Sequence, residues 1–130
     1  MSDDPKPHAL SELGQIAVTV GDVEAALAFY RDILGLRFLF RAGPDLAFLD
    51  ADGVRLMLTT PQGAGAVGHN SILYFRVSDI ESMFQALVER GAPAERDPAE
   101  VARLSDHALW NGFLRDPDGN LVGLMEERPL

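Results

Sequence analysis

Side chains able to do chemistry are few in this sequence. There are three histidines, at positions 8, 69 and 107, and no cysteine. His107, in SDHALW, is the sharpest candidate for acid–base work, because an imidazole exchanges protons near neutral pH and can also orient a polar ligand. Asp106 precedes it, but neighbours on a strand point to opposite faces, so adjacency alone does not make an Asp–His pair. The plainer role for His107 is a strand-start histidine bonded to backbone or water. His69 in PQGAGAVGHN and His8 in MSDDPKPHAL read as solvent-facing. Arg55 and Arg76 are suited to a carboxylate or phosphate, and Tyr74 and Trp110 to stacking on a planar ligand. Their competing roles are surface ion pairing and core packing. Gly63-x-Gly65-x-x-Gly68 has the spacing of a dinucleotide fingerprint. That motif needs a following helix whose N-terminus meets the phosphates. Here the strand-like ILYFRV follows, so the glycines read as a linker.

The chain that must position these groups has 130 residues, 47% hydrophobic and 24% charged, which suits one globular domain or two small modules sharing a core. Without cysteine, disulfides, thiolate metal sites and cysteine nucleophiles are excluded, and a reducing cytoplasm is the expected setting. The net charge of −9 excludes nucleic acid and anionic membranes as natural partners. No apolar run approaches membrane-spanning length. The acidic, Pro-containing first ten residues do not read as a signal peptide; they read as a flexible tail.

Two stretches repeat one another. Residues 13–20, LGQIAVTV, alternate, with Ile16, Val18 and Val20 on one face and Gln15, Ala17 and Thr19 on the other. Asp22 is the expected N-cap of a helix whose apolar stripe is Val23, Ala26, Leu27, Tyr30, Ile33 and Leu34, ended by Gly35. Strands are expected near 36–42, 45–50 and 53–59, the last pair joined at Asp52-Gly53. Residues 72–91, ILYFRVSDIESMFQALVERG, restart the series: a strand, Asp79-Ile80-Glu81 opening a helix, and Gly91 ending it. Strands are then expected near 99–104, 108–115 and 120–126, with Asp116-Pro117-Asp118-Gly119 joining the last two and Pro93 and Pro98 marking loop or edge. Val77 lies 57 positions after Val20, and Gly119 lies 66 after Gly53. The expected fold class is therefore α+β: two βαβββ modules, residues 11–60 and 71–130, with residues 1–10 as tail and 61–70 as Gly-rich linker. Each sheet covers one face with its own helix, and the two open faces can line a cup, a mixed sheet with helices outside.

Alternation places Gln15, Ala17, Thr19, Leu46, Phe48, Arg55, Met57 and Thr59 on the cup side of the first module, and Ile72, Tyr74 and Arg76 on that of the second. Taking residues 116–119 as the turn pairs Gly112 with Gly123 and Trp110 with Met125. Trp110 then faces the cup, and the facing glycines leave space at its floor. An apolar, aromatic cavity with a few polar handles has the character of an organic ligand site.

The duplicated pattern, with FYRDILGLRF on the first helix, ILYFRVSDIE opening the second module and FLRDPDGNLVGLME closing it, resembles the vicinal oxygen chelate superfamily. That superfamily includes glyoxalase I, extradiol dioxygenases, methylmalonyl-CoA epimerase and the bleomycin- and fosfomycin-resistance proteins. The resemblance spans residues 12–127. It implies the glyoxalase/bleomycin resistance/dioxygenase fold and a homodimer, in some members with modules paired across chains. Metal-dependent members carry ligands on the cup side of four strands, which correspond here to Gln15, Met57, Ile72 and Gly123. Only Gln15 has a coordinating oxygen, whereas a catalytic metal usually takes about three protein ligands. The resemblance therefore implies no metal cofactor. It implies a protein that binds a small, partly apolar or aromatic molecule in the cup, in a resistance-type or sequestering role. The alternative is a lyase, isomerase or dioxygenase of this family. It would use either a displaced Fe, Mn, Ni, Zn or Co site drawing on Gln15, His69 and His107, or His107 as acid/base.

Overall fold

The structure, a computed structural model, describes residues 7–63 and 65–130. Most of the expected tail, residues 1–6, and Ala64 of the linker lie outside the described residues; residues 7–10 are exposed. The first module runs β1 (Gln15–Thr19), α1 (Val23–Leu27, continued as a π-helix over Ala28–Ile33), β2 (Arg37–Arg41), β3 (Leu46–Ala51) and β4 (Val54–Thr59). The second runs β5 (Leu73–Arg76), α2 (Ile80–Glu89), β6 (Ala94–Arg103), β7 (His107–Arg115) and β8 (Leu121–Pro129). The expected α+β repeat is present as two four-stranded mixed sheets, ordered β1-β4-β3-β2 and β5-β8-β7-β6. In each, the opening strand pairs parallel with the last and the other pairings are antiparallel.

Local chemistry accounts for the helix ends. Asp22 and Asp79 both cap, accepting from the backbone N–H of Glu24 and Ser82. Gly35 and Gly91 follow the helices at φ of 84° and 114°, a region open to glycine without a Cβ penalty. The second half of the first helix departs from the expected α-geometry: the Leu34 N–H donates to the Phe29 carbonyl five residues back. The wider turn lets the consecutive Phe29 and Tyr30 both be buried.

The helix-side residues of both sheets merge into one core. Val18, Leu49, Leu56 and Leu58 of the first sheet join Leu114, Val122 and Leu124 of the second, with Leu27, Ile80, Phe84 and Leu87 from the helices. A polar clasp ties the modules together beside this core. Asp116 is 4% exposed and takes the Tyr30 hydroxyl at 2.8 Å, the Asn120 amide at 2.9 Å, and the backbone N–H groups of Asp118 and Asn120. Asn120 accepts from Asn70, and Asn70 bonds both the N–H and the carbonyl of Thr19. The Gly21 N–H donates to Asp118. Thus the DPDGN segment both turns the last hairpin and fastens the second module to β1 and α1. The linker carries Gly63, Gly65 and Gly68 at φ of 96°, 87° and 80° and leads into a strand, the arrangement that argues against a phosphate loop.

The two hairpin turns differ, with consequences for the site. Asp52-Gly53 is a two-residue turn with both φ values positive, and Phe48 pairs with Met57 as expected. In the second module Asp116 pairs with Asn120, and Gly119 sits in the left-handed region at φ 83°. The loop is therefore three residues long, with a glycine bulge, and the register moves by one. Arg115 pairs with Leu121, Phe113 with Gly123 and Trp110 with Glu126. This corrects the pairing expected from a four-residue turn. A second difference is β6, which begins earlier than expected and carries three register irregularities around Pro98. As an edge strand it tolerates a residue without an N–H.

Candidate functional site

The corrected register turns the even-numbered residues of β7 toward the helix and the odd-numbered ones outward. Trp110 therefore leaves the predicted cup face: it packs at the rim of the core, with the Arg128 guanidinium 4.0 Å over its ring. Gly112 also faces inward, where a Cβ would come within 3.1–3.3 Å of the Pro98 and Arg96 backbone. The open faces instead gain Phe113 and Asn111, which sequence reasoning missed. Counting Gly119 as a bulge would have found Phe113. Arg96 was beyond reach, because the irregularities of β6 hide its facing.

On the first module's open face, Phe40 of β2 stacks on Phe48 of β3 at 4.5 Å between ring centroids. The Arg55 guanidinium lies 5.1 Å from the centre of Phe48 and donates from Nε to Gln15 Oε1 at 2.7 Å. Gln15 Nε2 in turn reaches the Met57 thioether at 3.6 Å. The predicted residues Gln15, Phe48, Arg55 and Met57 are thus brought together.

On the second module's open face, the Tyr74 ring lies across Gly123. A Cβ there would sit 2.7 Å from Tyr74 Cδ1, so a strand glycine is what lets the ring lie down. Tyr74 meets Phe113 edge-on at 5.6 Å, and the Arg96 guanidinium covers Phe113 at 4.8 Å while bonding the Asn111 carbonyl oxygen. The space expected at the floor beside Gly123 is therefore taken by Tyr74. Arg76 extends to Glu127 at 3.6 Å and is largely exposed, the ion-pair role open to it. Ile72 precedes β5. It lines a cleft of about 580 Å³ with Tyr74, Arg76, Ile16 and Leu56, beside the edge of β5 that pairs with no strand. Tyr74, Phe40 and Ile72 are 49%, 44% and 41% exposed, so neither aromatic face is closed within the chain.

His107 is not brought into this group. It begins β7, six residues from Phe113, or roughly 20 Å along a strand. Its Nδ1 pairs with the Asp106 carboxylate at 2.7 Å, a contact that strand alternation argued against. The hydrogen bond to the ring holds the Asp106 carboxyl below its usual range. The pair forms because Asp106 lies in the bend before β7, outside the pleat. His69 is exposed in the connection.

The donor set does not fit a metal of the kind the family's enzymes use. Gln15 Oε1 already accepts from Arg55, and a cation there would sit against a guanidinium. The Gly123 position offers no donor and is covered by Tyr74. Among the described residues, no three or more His, Asp and Glu are grouped where they could hold an ion.

Residues 12–124 match the family described as the Glyoxalase/Bleomycin resistance protein/Dioxygenase superfamily, and the chain belongs to it. It is 26% identical over 133 residues to catechol-2,3-dioxygenase of Bacillus subtilis (strain 168), which covers 94% of this chain and 44% of that protein. The chain thus spans less than half the length of that relative. It is 27% identical over 127 residues to the uncharacterized protein YraH of the same organism, covering 85% of this chain and 94% of the relative. Among solved structures, its fold is similar to that of TnmS3, an antibiotic binding protein from Streptomyces sp. CB03234. That match has 22% identity, a TM-score of 0.73, and coverage of 93% of this chain and 99% of the other. Among the described residues, no helix is long and apolar enough to cross a membrane.

Proposed function

We propose that this protein binds a small, partly apolar or aromatic molecule against its open aromatic faces, without a metal, in a resistance-type or sequestering role. One observation carries the reading: Gln15 Oε1 is held by Arg55, Met57 offers a thioether and Gly123 lies under the Tyr74 ring, while Phe40 on one open face and Tyr74 on the other stay half-exposed. Half-exposed aromatics on the open faces of the two sheets, with a few polar groups beside them, are suited to an organic ligand. The antibiotic binding named for TnmS3 is consistent with this role. The working form is a homodimer, in which a second copy covers the open edges of β1 and β5 and brings a module of one chain against a module of the other. A cytoplasmic setting suits a chain without cysteine.

The test is a calorimetric and thermal-shift screen of planar organic compounds, with Tyr74→Ala and Phe48→Ala as variants. Binding at one site per module pair, weakened at least about tenfold in each variant, is expected from the loss of one aromatic contact. Elemental analysis after incubation with Fe, Mn, Ni, Zn and Co is expected to find well under one metal per chain. A tight equivalent of metal with dioxygenase or glyoxalase turnover would overturn the proposal.

A further inference from the structure

We infer that the ligand is an aromatic acid: a planar ring system bearing a carboxylate, sulfonate or phosphate, recognised by Arg55 and Arg96. This rests on the aromatic-face reading above and adds the charge of the ligand to it.

Four arginines stack on aromatic rings among the described residues. Two lie off the open faces, and each is neutralised: Arg31 over Phe38 pairs with Asp32, and Arg128 over Trp110 pairs with Glu81 and Glu126. The other two, Arg55 over Phe48 and Arg96 over Phe113, lie on the open faces. No carboxylate lies within ion-pair distance of either among the described residues. Their partners are neutral amides, Gln15 and Asn111. Seven of the ten arginines pair with a carboxylate, and Arg90 bonds the Ile33 carbonyl. Among the described residues Arg55 and Arg96 are thus the two guanidinium groups held by neutral side-chain amides, and they stand at matching places in a chain of net charge −9.

An amide can fix a guanidinium's direction without cancelling its charge. Phe48 and Phe113 are equivalent in the repeat, each opposite the β4 or β8 residue that a metal ligand would occupy. The arginines are not equivalent: Arg55 comes from β4 and Arg96 from β6. The same device is thus built from different strands, so duplication alone does not account for it. Arg55 keeps both terminal nitrogens, and Arg96 its Nε and Nη1, without a partner among the described residues. Those donors form the planar fork that matches an acid group. The protein's overall field repels anions, so any preference for an acid must arise locally.

Two probes with one ring system separate charge from shape: 1-anilinonaphthalene-8-sulfonate and its uncharged parent, N-phenyl-1-naphthylamine. Both are titrated calorimetrically into the wild-type protein, Arg55→Gln, Arg96→Gln and a charge-loss control, Arg103→Gln, which lies at the end of β6. Circular dichroism confirms that each variant is folded. The sulfonate is expected to bind about tenfold or more tighter than its parent, as charge-assisted hydrogen bonds imply. That preference should fall in Arg55→Gln and Arg96→Gln and persist in Arg103→Gln, with the parent's affinity unchanged. Equal affinity for the two probes in the wild type, or equal weakening of both in the arginine variants, overturns the inference and leaves the aromatic-face reading standing. Absence of binding by either probe, or binding unchanged by Tyr74→Ala and Phe48→Ala, overturns both.

Discussion

Gly123 shows how one absent side chain sets the position of its neighbour. Its place in the last strand suits a ligating carboxylate in the family's enzymes, and in this chain the missing side chain is the space where Tyr74 lies. Gly123→Ala is expected to push that ring off its seat and cost about 1–2 kcal/mol, the usual range for overpacking. The cost should shrink in a Tyr74→Ala background, and a double-mutant cycle by chemical denaturation measures the difference. Strand alternation was sufficient to place Gln15, Phe48, Met57 and Tyr74, because a two-residue period survives in strands of regular register. It failed for Trp110, because one bulged glycine upstream of β8 exchanges the faces of every residue in the facing strand.

The clasp at the last hairpin is an element-scale device. Asp116 satisfies one hydroxyl, one amide and two backbone N–H groups from a buried position. Asp116→Ala is expected to cost about 3 kcal/mol or more, since it strands several buried donors, and Tyr30→Phe about 1 kcal/mol. Burial first, then the neighbouring Asp116 charge and the hydrogen bond to it, raise the Tyr30 phenol well beyond its ordinary range. The unfolded chain gives up that proton near pH 10 while the folded chain keeps it. Stability from this group is thus complete below about pH 10 and is lost as pH rises above it. In Tyr74→Phe, where Tyr30 is the remaining tyrosine, phenolate absorbance should appear only together with unfolding.

At the scale of the molecule, two modules share one core through their helix sides and leave their aromatic sides and the outer edges of β1, β2, β5 and β6 without a partner strand among the described residues. Single chains with such edges are prone to pair. Sedimentation is expected to show two chains per particle. Ile72→Glu, at an exposed position lining the cleft beside β5, should shift the mass toward one chain while changing the chain's own stability by no more than about 0.5 kcal/mol. A variant that stays dimeric would place the contact elsewhere.

Local patterns in the sequence were enough to determine the repeat, both helix caps and most strand faces, because each depends on residue type and short-range spacing. Folding in three dimensions decided the rest. The partners of Asp116 and the choice of Phe113 and Arg96 over Trp110 depend on a loop one residue longer than its twin and on an edge strand whose register shifts around Pro98, and the pairing of Asp106 with His107 depends on the bend before β7. Such irregularities carry no period, so their effect on which side chains meet becomes visible only when the strands are paired.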